Sequence, residues 1–598
     1  MCGIFGYVGK KTNAAQIVFE GLKRLDYRGY DSWGIAVKIT DNKSNLKSEI
    51  VVEKHVGKIG EVNDVNNLPS GSIAIAHTRW ATTGAVTKVN AHPYFSTDKS
   101  FALAQNGIVE NFDELKKKLK KKGYTFISQT DTEVIVRLIE DKLKRVKDLF
   151  IAVREAFLEL EGRNTIILVT NAGKIYAARN GSPLVIGFNS KTKETYISSD
   201  TLSFSSLADK MIAIDNGEMV IINGGVAIFN IASGKKVKHV EEEITIHGSK
   251  VDKEGYDHFM IKEINENPYV INQLLHQEKE LYERLASAIK KTKTVYTIGS
   301  GTTGLAASQI AYYLRRFGKI KAISLVGSDA REYYELFSKG DILIAPSQSG
   351  ETADVLEVLE YAKSKGVTIV SIVNMSGSTM TRMSDYKFMS QAGAEICVLS
   401  TKVFVSQISW GYLLAKTAQG QFNEGKKNLQ ILSKEAEIYL KDKNNVKNIE
   451  KISKYFLAKQ HIFLLGKSQN FQIVREGMVK IIEATYKHAH AIPSGDLKHY
   501  AITLMEKGVP VIVVMSNDEV RTDVNTAINE VRLRGAEVIA IAPVKQDNFD
   551  YYLQVPDTGE TSAIMSVIPL QLLAYHMAVD LGNSVDKPRN IAKSVTVK

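Results

Sequence analysis

Two kinds of hydrophobic spacing alternate along the first part of the chain. Short apolar runs predict strands at residues 72–76, 100–104, 165–169 and 219–222. Apolar positions three or four residues apart predict helices over 13–25 and 131–143. This pattern fits two sheets that lie between layers of helices.

The second part of the chain repeats a pattern of strands and helices. Three pairs of segments correspond in order and in approximate spacing: 295–303 with 462–468, 342–352 with 511–518, and 365–370 with 534–539. Each pair combines a buried strand with the start or end of a helix. Two copies of a β-α-β-α unit predict two doubly wound α/β domains with parallel sheets.

A hydroxyl-rich loop at 347–352 lies between a predicted strand over 341–346 and a predicted helix over 353–364. The free N–H groups of a helix's first turn carry partial positive charge, and hydroxyl groups add small donors, so a phosphate can bind there. Serine and threonine before a helix are equally typical of a capping turn. Both interpretations stay open on these residues alone.

The composition is typical of a globular protein, and the low cysteine content predicts a reducing compartment. Of its 598 residues 44% are hydrophobic and 24% charged, and only two are cysteine. We find no apolar run long enough to cross a bilayer and no basic leader, and therefore expect a cytoplasmic protein. The net charge of +11 permits anionic partners. Aromatic residues do not interleave the lysine runs, which favours small anionic substrates over nucleic acid.

Cys2 is the candidate nucleophile of the first domain. If Met1 is removed, Cys2 carries a thiol and a free α-amine, whose reference pKa of about 7.7 to 8.0 lets it accept the thiol proton. An ordinary strand cysteine near the start of the chain is the alternative.

Six motifs, the first of which begins with Cys2, together resemble the glutamine amidotransferase domain of the N-terminal-nucleophile hydrolase class. That resemblance implies an α+β fold of two sheets between helices (αββα) over residues 2–240. The motifs are Cys2-Gly3-Ile4-Phe5-Gly6, Tyr27-Arg28-Gly29-Tyr30-Asp31-Ser32, His77-Thr78-Arg79-Trp80-Ala81-Thr82, Asn90-Ala91-His92-Pro93, Asn106-Gly107 and Thr130-Asp131-Thr132-Glu133.

The resemblance implies a role for each of these positions. Cys2 would attack the side-chain amide of glutamine, and Asn106 with the Gly107 N–H would form the oxyanion hole. Guanidinium binds carboxylate and carboxylate binds ammonium, which suits Arg79 to the α-carboxylate of glutamine and Asp131 to its α-amine. The implied glutamine-binding residues are Arg79, Trp80, Thr82, His92 and Asp131.

The repeated second part resembles a pair of sugar isomerase (SIS) domains, which bind phosphosugars. A glutaminase domain followed by two such domains resembles the family of isomerising glutamine:fructose-6-phosphate aminotransferases, almost end to end. We expect a linker and first helix over 241–285, SIS domains over 286–425 and 450–585, and a catalytic tail over 586–598. By resemblance the sugar phosphate would be bound by Thr303, Ser347, Gln348, Ser349, Thr352 and Lys480.

Amination of fructose 6-phosphate with isomerisation requires ring opening, an imine at C2 and a proton shift from C1 to C2. Glu476, Lys480 and Glu483 share one face of a predicted helix. Glu483 resembles the carboxylate that moves the proton, and Lys593 the lysine that forms the imine. His499 matches the family's ring-opening histidine, which reaches the site from the other subunit, so the resemblance implies a homodimer.

The segment 493–500 departs most from the family pattern. Asp496 stands where relatives favour Glu, and Tyr500-Ala501 stand where they favour Gly-Pro. This segment supports an alternative in which a different phosphosugar is the acceptor or an aminosugar phosphate is deaminated. A phosphosugar sensor without turnover is a further alternative, although Glu483, His499 and Lys593 are all present. We expect no metal and no cofactor, because the sequence contains no metal-ligand cluster and no Walker loop.

Overall fold

A computed structural model describes residues 2–39, 49–65, 67–244 and 252–595. They fall into two compact units, one from the N-terminal part of the chain and one from most of residues 252–593. The predicted linker and the predicted tail extend outside the described residues, at 245–251 and 596–598.

The first unit contains two antiparallel sheets. The eight-stranded sheet has the order Glu242–Glu243, Lys210–Ala213, Val185–Phe188, Thr195–Ser198, Gly3–Val8, Ile73–Arg79, Ser32–Lys38 and Ile50–Val56. The seven-stranded sheet has the order Lys236–Val237, Val226–Asn230, Glu218–Ile222, Ile175–Asn180, Asn164–Thr170, Phe101–Gly107 and Tyr94–Phe95.

Alternating side chains place these sheets between helices. In the strand Gly3–Val8, Phe5 and Tyr7 pack toward the helix Ala14–Lys23, whereas Ile4 joins the core between the two sheets. The second sheet is covered by the helices Phe112–Lys121, Asp131–Val146 and Leu149–Leu158. The predicted αββα fold is therefore confirmed.

The strand predicted at 72–76 extends further in the structure, as Ile73–Arg79. The prediction stopped where the polar residues His77, Thr78 and Arg79 begin. All three are buried, so the polar end of this strand belongs to the interior. This is the first sign that the strand leads into a functional site.

The second unit contains two parallel five-stranded sheets with the same strand order. The first sheet has the order Ala322–Val326, Val295–Gly299, Ile342–Ser347, Thr368–Val373 and Tyr386–Met389. The second has the order His488–Pro493, His461–Gly466, Pro510–Val514, Glu537–Ala542 and Tyr551–Gln554. In each sheet the first strand along the chain lies second from one edge, the next strand forms that edge, and the other three strands follow on the opposite side. This order confirms the predicted pair of doubly wound domains.

Helices cover both sheets, and one apolar cluster runs through the two domains. Trp410 and Leu573 are fully buried members of that cluster from different domains. The helices of this part are Phe259–Asn265, Asn267–Leu274, Lys279–Lys291, Thr302–Arg316, Ala353–Ser364, Thr379–Met383, Lys402–Ala418, Phe422–Lys441, Lys443–Tyr455, Phe471–Thr485, Arg521–Arg532, Ser562–Met565 and Val567–Asp580.

One helical stretch differs from the expectation that no apolar run could cross a bilayer. Residues Gly559–Asp580 have the length and mean hydropathy of a membrane span, but 89% of their most apolar window is buried inside the protein. A helix that is apolar on all sides is also what a protein core requires. Packing within the second unit explains the composition of this stretch.

The chain at His92 lies directly on Gly34, and a substitution at Gly34 tests this close approach. A Cβ atom at Gly34 would come within 2.2 Å of the His92 carbonyl oxygen and 2.8 Å of the Glu53 carbonyl oxygen. We expect Gly34→Ala to lower the free energy of unfolding by roughly 1–3 kcal/mol, as overpacking does. Calorimetry of the full chain measures the change, and Gly225→Ala, whose Cβ meets open space, is the control. Equal melting temperatures for the two variants would contradict the packing described here.

Candidate active sites

Cys2 precedes the strand Gly3–Val8, and its thiol lies against the backbone of Trp80. The Trp80 N–H donates to Cys2 Sγ at 3.4 Å, and Sγ lies 3.6 Å from the Trp80 carbonyl oxygen. Burial raises the pKa of the Cys2 thiol, although the Trp80 backbone contact acts in the opposite direction. The thiol therefore needs a nearby base in order to attack as a thiolate.

Asn106 and Gly107 end the strand Phe101–Gly107. Asn106 is 2% exposed, and neither Oδ1 nor Nδ2 has a hydrogen-bond partner among the residues that the structure describes. Burial lowers the pKa of His77, and the nearby Asn106 amide acts in the opposite direction. The two side chains nevertheless form no hydrogen bond. A buried amide of this kind is costly unless it binds something.

Gly107 cannot be replaced by a larger residue at this turn. Its φ is +120°, and a Cβ atom would lie 2.0 Å from the Arg163 carbonyl oxygen. The backbone therefore bends sharply at the point where the unpaired Asn106 amide lies. Two neighbouring donors, one from a side chain and one from the backbone, are the usual components of an oxyanion hole.

Arg79 ends the strand Ile73–Arg79 and carries a buried positive charge. Its guanidinium donates to the carbonyl oxygens of Thr83 at 2.5 Å, Gly84 at 3.2 Å and Ala85 at 3.3 Å. Within the described ranges no carboxylate lies within ion-pair distance of it. Arg79 thus shapes the loop that follows while its charge remains available to an anion.

Asp131 begins the helix Asp131–Val146 and supplies the opposite charge. Its Oδ2 accepts from the Val109 N–H at 2.8 Å and from Gln105 Nε2 at 3.5 Å. Burial raises the pKa of the Asp131 carboxyl, while these donors and Arg79 lower it. A buried guanidinium and a buried carboxylate in one pocket match the two charges of a free amino acid.

His92 lies beneath this pocket and holds its parts together. Its Nδ1 accepts from the Gln105 N–H at 3.5 Å, so its Nε2 carries the proton and donates to Thr132 Oγ1 at 3.0 Å. The Thr132 hydroxyl in turn donates to Gln105 Oε1 at 2.5 Å. Burial lowers the pKa of His92 well below its ordinary value and that of His77 to about 3, so both rings are neutral. Gln105 was missed in the sequence, although it directly precedes Asn106.

Trp80 and Thr82 lie on the loop after Arg79. Trp80 is half-buried and its ring meets that of Tyr30 edge to face, with 5.2 Å between ring centroids. Thr82 is exposed. Between them the Ala81 N–H donates to Asp31 Oδ2 at 2.8 Å, which fixes the start of the loop.

The hydroxyl loop lies at the carboxyl end of the strand Ile342–Ser347. Ser347 Oγ accepts from the Gly350 N–H at 2.8 Å, and Ser349 Oγ accepts from the Glu351 N–H at 3.2 Å. Thr352 precedes the helix Ala353–Ser364, but its side chain makes no capping hydrogen bond there. The serines fold the loop, whereas the N–H groups of the helix's first turn keep the capacity to bind an anion.

A second turn faces the same sheet edge. The strands Val295–Gly299 and Ile342–Ser347 are parallel neighbours, so both turns leave the sheet at its carboxyl edge. The Thr303 hydroxyl, which the sequence pattern assigned to the phosphate, donates instead to the Ser300 carbonyl oxygen at 2.9 Å. Ser300 Oγ is buried and has no partner among the described residues. Gln348 contributes its carbonyl oxygen to the Met375 N–H at 3.2 Å.

Lys480 is a buried ammonium between two carboxylates of its own helix, Phe471–Thr485. Its Nζ lies 2.6 Å from Glu483 Oε2 and 3.4 Å from Glu476 Oε1. It also donates to Thr302 Oγ1, in the domain of the first parallel sheet, at 3.1 Å. Burial raises the pKa of Glu476 to about 7. Burial alone would lower the pKa of Lys480, but the two carboxylates raise it above its ordinary value.

Lys593 lies in a separate buried cluster. Its Nζ donates to Glu395 Oε2 at 2.5 Å and to the Cys397 carbonyl oxygen at 2.6 Å, and its side chain is 3% exposed. It makes no hydrogen bond to Glu483 or Lys480 in the part of the chain that the structure describes. Sequence patterns did not point to Glu395, because no motif of the sequence analysis includes it.

His499 is not brought to the other sugar-site residues within one chain. It ends the short turn Leu497–His499 and is exposed, and its ring makes no hydrogen bond to any residue in the described ranges. Tyr500 beside it is 51% exposed, with its ring 6.4 Å from that of His490.

One group of side chains has the composition of a metal site. Ligand atoms of Asp215, Glu218 and His239 lie within 4.8 Å of one another. His239 Nε2 already forms a hydrogen bond of 2.9 Å with Glu218 Oε1, and this bond accounts for their proximity. None of the residues assigned above belongs to this group.

Comparison with known proteins identifies the domains. Residues 62–151 match the glutamine amidotransferase domain, and residues 288–417 and 455–581 each match the SIS domain. The C-terminal domain of glucosamine-fructose-6-phosphate aminotransferase from Francisella tularensis is 30% identical in sequence, with a TM-score of 0.51. That alignment covers 56% of this chain and 100% of the solved one.

Curated relatives match from end to end. A glutamine–fructose-6-phosphate aminotransferase (isomerizing) of Pseudomonas aeruginosa is 37% identical, with 100% of both chains covered. Proteins of the same name from Methanococcus maripaludis and Pyrococcus horikoshii are each 36% identical, again over 100% of both chains.

The buried charge of Lys480 leads to a stability prediction. Lys480→Met leaves Glu476 and Glu483 without their counter-ion, so we expect the second unit to lose roughly 3–5 kcal/mol of unfolding free energy near pH 8. The loss should be smaller at about pH 5.5, because Glu476, whose pKa is about 7, is then protonated and needs no counter-ion. Calorimetry at the two pH values measures both effects.

Lys441→Met is the matched control for this substitution. Lys441 pairs with Glu437, but its side chain is 74% exposed. Loss of an exposed pair changes stability by about 0.5 kcal/mol or less. A Lys480→Met variant that behaved like this control would show that the buried cluster does not stabilise the second unit.

Proposed function

The chain belongs to the family of isomerising glutamine–fructose-6-phosphate aminotransferases, and on this premise we propose how its residues divide the reaction. The protein transfers ammonia from L-glutamine to D-fructose 6-phosphate, giving D-glucosamine 6-phosphate and L-glutamate. The observation that carries this function is the end-to-end match to these relatives in a chain with one glutaminase domain and two SIS domains.

In the first domain Cys2 attacks the side-chain amide carbon of glutamine. After removal of Met1 its free α-amine takes the thiol proton and passes it to the leaving nitrogen, so that ammonia and a γ-glutamyl thioester form. Water then hydrolyses the thioester to glutamate. Asn106 Nδ2 and the Gly107 N–H stabilise the oxyanion in both steps, and loss of one such donor costs on the order of 3 kcal/mol.

The two buried charges of this pocket recognise glutamine itself. Arg79 binds the α-carboxylate, and Asp131 binds the α-ammonium. Trp80 and Thr82 on the adjacent loop cover the substrate. His92 positions Asp131, because its neutral ring hydrogen-bonds to Thr132 in the helix that begins at Asp131.

In the sugar isomerase pair the phosphate binds at the carboxyl edge of the first parallel sheet. Its ligands are the first-turn N–H groups of the helix Ala353–Ser364 together with loop side chains. Lys480 adds positive charge and orients Glu483. The proposed phosphate-site residues are Thr303, Ser347, Gln348, Ser349, Thr352 and Lys480.

Isomerisation uses three further residues. His499 of the neighbouring subunit protonates the ring oxygen and opens the sugar, since imidazole is the side chain generally suited to proton transfer at physiological pH. The neutral Lys593 amine condenses with the C2 ketone and releases water, and ammonia then displaces the lysine. Glu483 takes the proton from C1 and delivers it to C2, which leaves an aldehyde at C1 and an amine at C2.

We further propose a cytoplasmic homodimer with the domain limits given above: 2–240, 241–285, 286–425, 450–585 and 586–598. The shared histidine supports the dimer, because its ring is exposed and makes no hydrogen bond to the sugar-site residues of its own chain in the described ranges.

An isotope experiment tests the function. With amide-15N glutamine and fructose 6-phosphate, we expect equal amounts of glutamate and of 15N-labelled glucosamine 6-phosphate by mass spectrometry. Cys2→Ala should abolish both products from glutamine and spare formation of the aminosugar from free ammonia, because the sugar site is intact. A Cys2→Ala variant that still hydrolysed glutamine would refute the assigned nucleophile.

Subunit mixing tests the shared histidine. His499→Ala and Glu483→Gln should each lack sugar amination as homodimers. In a mixed dimer the His499→Ala subunit keeps Glu483 and receives His499 from its partner, so one of the two sites is complete. Random mixing makes about half of the dimers mixed, and we therefore expect about a quarter of wild-type activity. No recovery on mixing, with dimers verified by light scattering, would place His499 in the site of its own chain.

A further inference from the structure

Lys593 must lose its proton before it can act as proposed, yet the structure surrounds it with groups that favour the ammonium. Glu395 Oε2 and the Cys397 carbonyl oxygen accept from its Nζ at 2.5 Å and 2.6 Å. Glu395 is itself fully buried and also accepts from the N–H groups of Thr401 and Val403, at 2.9 Å and 3.1 Å. The segment 395–397 is therefore a rigid cradle for the amine.

A second buried carboxyl group, Glu263, holds this cradle from the other side. It lies in the helix Phe259–Asn265 and is 1% exposed. Its Oε1 accepts from the Ile396 N–H at 2.5 Å and from the Cys397 N–H at 3.1 Å. Its Oε2 is buried without a hydrogen-bond partner in the part of the chain that the structure describes.

The same helix also anchors the tail that carries Lys593. Asp586 accepts from the first N–H groups of the helix, at 3.0 Å from Phe259 and 2.9 Å from Met260. The tail and the cradle are thus fastened to opposite ends of one short helix. The distance between Lys593 and its acceptors depends on this helix.

We propose that Glu263 is a positioning residue for Lys593, which fixes the cradle of the amine and, through its own charge, changes the rate at which the amine forms the imine. The inference deepens the proposed function and rests on the role given there to Lys593. Cys397 connects the two groups, because its N–H donates to Glu263 and its carbonyl accepts from Lys593. These two contacts hold Glu263 and Lys593 on one short backbone segment.

Charge accounting explains how Glu263 affects the amine. Burial raises the pKa of Glu263 to about 8, so it is protonated and neutral at pH 7. Lys593 then has one carboxylate, Glu395, as its counter-ion. Above pH 8 Glu263 ionises and adds a second negative charge, which stabilises the ammonium and disfavours the neutral amine.

The other charged groups near Glu263 have partners of their own. Lys402 forms an ion pair of 2.5 Å with Glu266, and Asp586 is bound at the helix N-terminus. Burial raises the pKa of the Cys397 thiol, so it is neutral. The titratable and charged groups that face Glu263 are Lys593, Glu395, Lys402, Glu266, Cys397 and Asp586.

Trapping of the imine tests this inference with the full-length protein. Sodium borohydride with fructose 6-phosphate reduces the Lys593 imine to a stable secondary amine, and peptide mass spectrometry locates it. We would measure the rate of this adduct from about pH 7 to about pH 9.5. The variants are Glu263→Gln, which keeps the acceptor oxygen but cannot ionise, and Glu437→Gln, whose carboxylate is 54% exposed, as the control.

We expect every rate to rise with pH, as for any amine nucleophile, but the wild-type and Glu437→Gln rates should rise less steeply above about pH 8 than the Glu263→Gln rate, because Glu263 ionises only in the first two. The ratio of the Glu263→Gln rate to the wild-type rate should therefore increase steadily from about pH 8 to about pH 9.5. The KM for fructose 6-phosphate should not change, since Glu263 has no sugar contact. Glu263→Ala, which removes the acceptor, should be slower at every pH.

Two results would contradict different claims. Identical pH profiles for the wild type and Glu263→Gln, with an adduct at Lys593 in both, would overturn the role of Glu263. Absence of any wild-type adduct at Lys593 would instead overturn the imine step of the proposed function. Circular dichroism of each variant shows whether a slow rate reflects loss of structure.

Discussion

The buried ammonium of Lys480 is the interaction on which the sugar-binding half depends. A charge in the protein interior is tolerated only with close counter-ions, and Lys480 has two within 3.4 Å. It also bonds to Thr302, the first residue of the site helix in the other sugar isomerase copy. Separation of the two copies at this point would break the hydrogen bond between Lys480 and Thr302. Glu483, 27% exposed, is the carboxylate of the cluster that remains accessible to a substrate.

The two copies share a strand order but not a function, and one hydroxyl group shows why. After the strand Ile342–Ser347 the hydroxyl loop folds on itself and leaves a helix N-terminus for the phosphate. At the equivalent position of the second copy Ser516 is buried and exchanges hydrogen bonds of 2.9 Å and 3.3 Å with Asn470. The hydroxyl that could meet an anion is thus occupied. The second copy contributes carboxylates and Lys480 instead.

The sequence predicted the fold well because each element obeys a local rule. Alternation within Gly3–Val8 and the repeated strand-to-turn pattern of the second half need no long-range knowledge. The site was predictable only where chemistry sits in a motif, as at Asn106-Gly107. Glu263 and Glu395 were missed because they are 132 residues apart (395 − 263) and meet only in the folded chain. For Thr303 the sequence pattern assigned a hydroxyl to the phosphate, but in the structure that hydroxyl donates to the Ser300 carbonyl oxygen within the same turn.

Two buried lysines of the second unit differ in the charges that surround them. Lys480 is flanked by two carboxylates, and these keep it charged. Lys593 has one ionised carboxylate, while the second acid near it is protonated at neutral pH. The charge around Lys593 is therefore balanced, with one carboxylate beside one ammonium. The two lysines therefore differ in geometry: both glutamates beside Lys480 contact its ammonium directly, whereas Glu263 is connected to Lys593 only through Cys397.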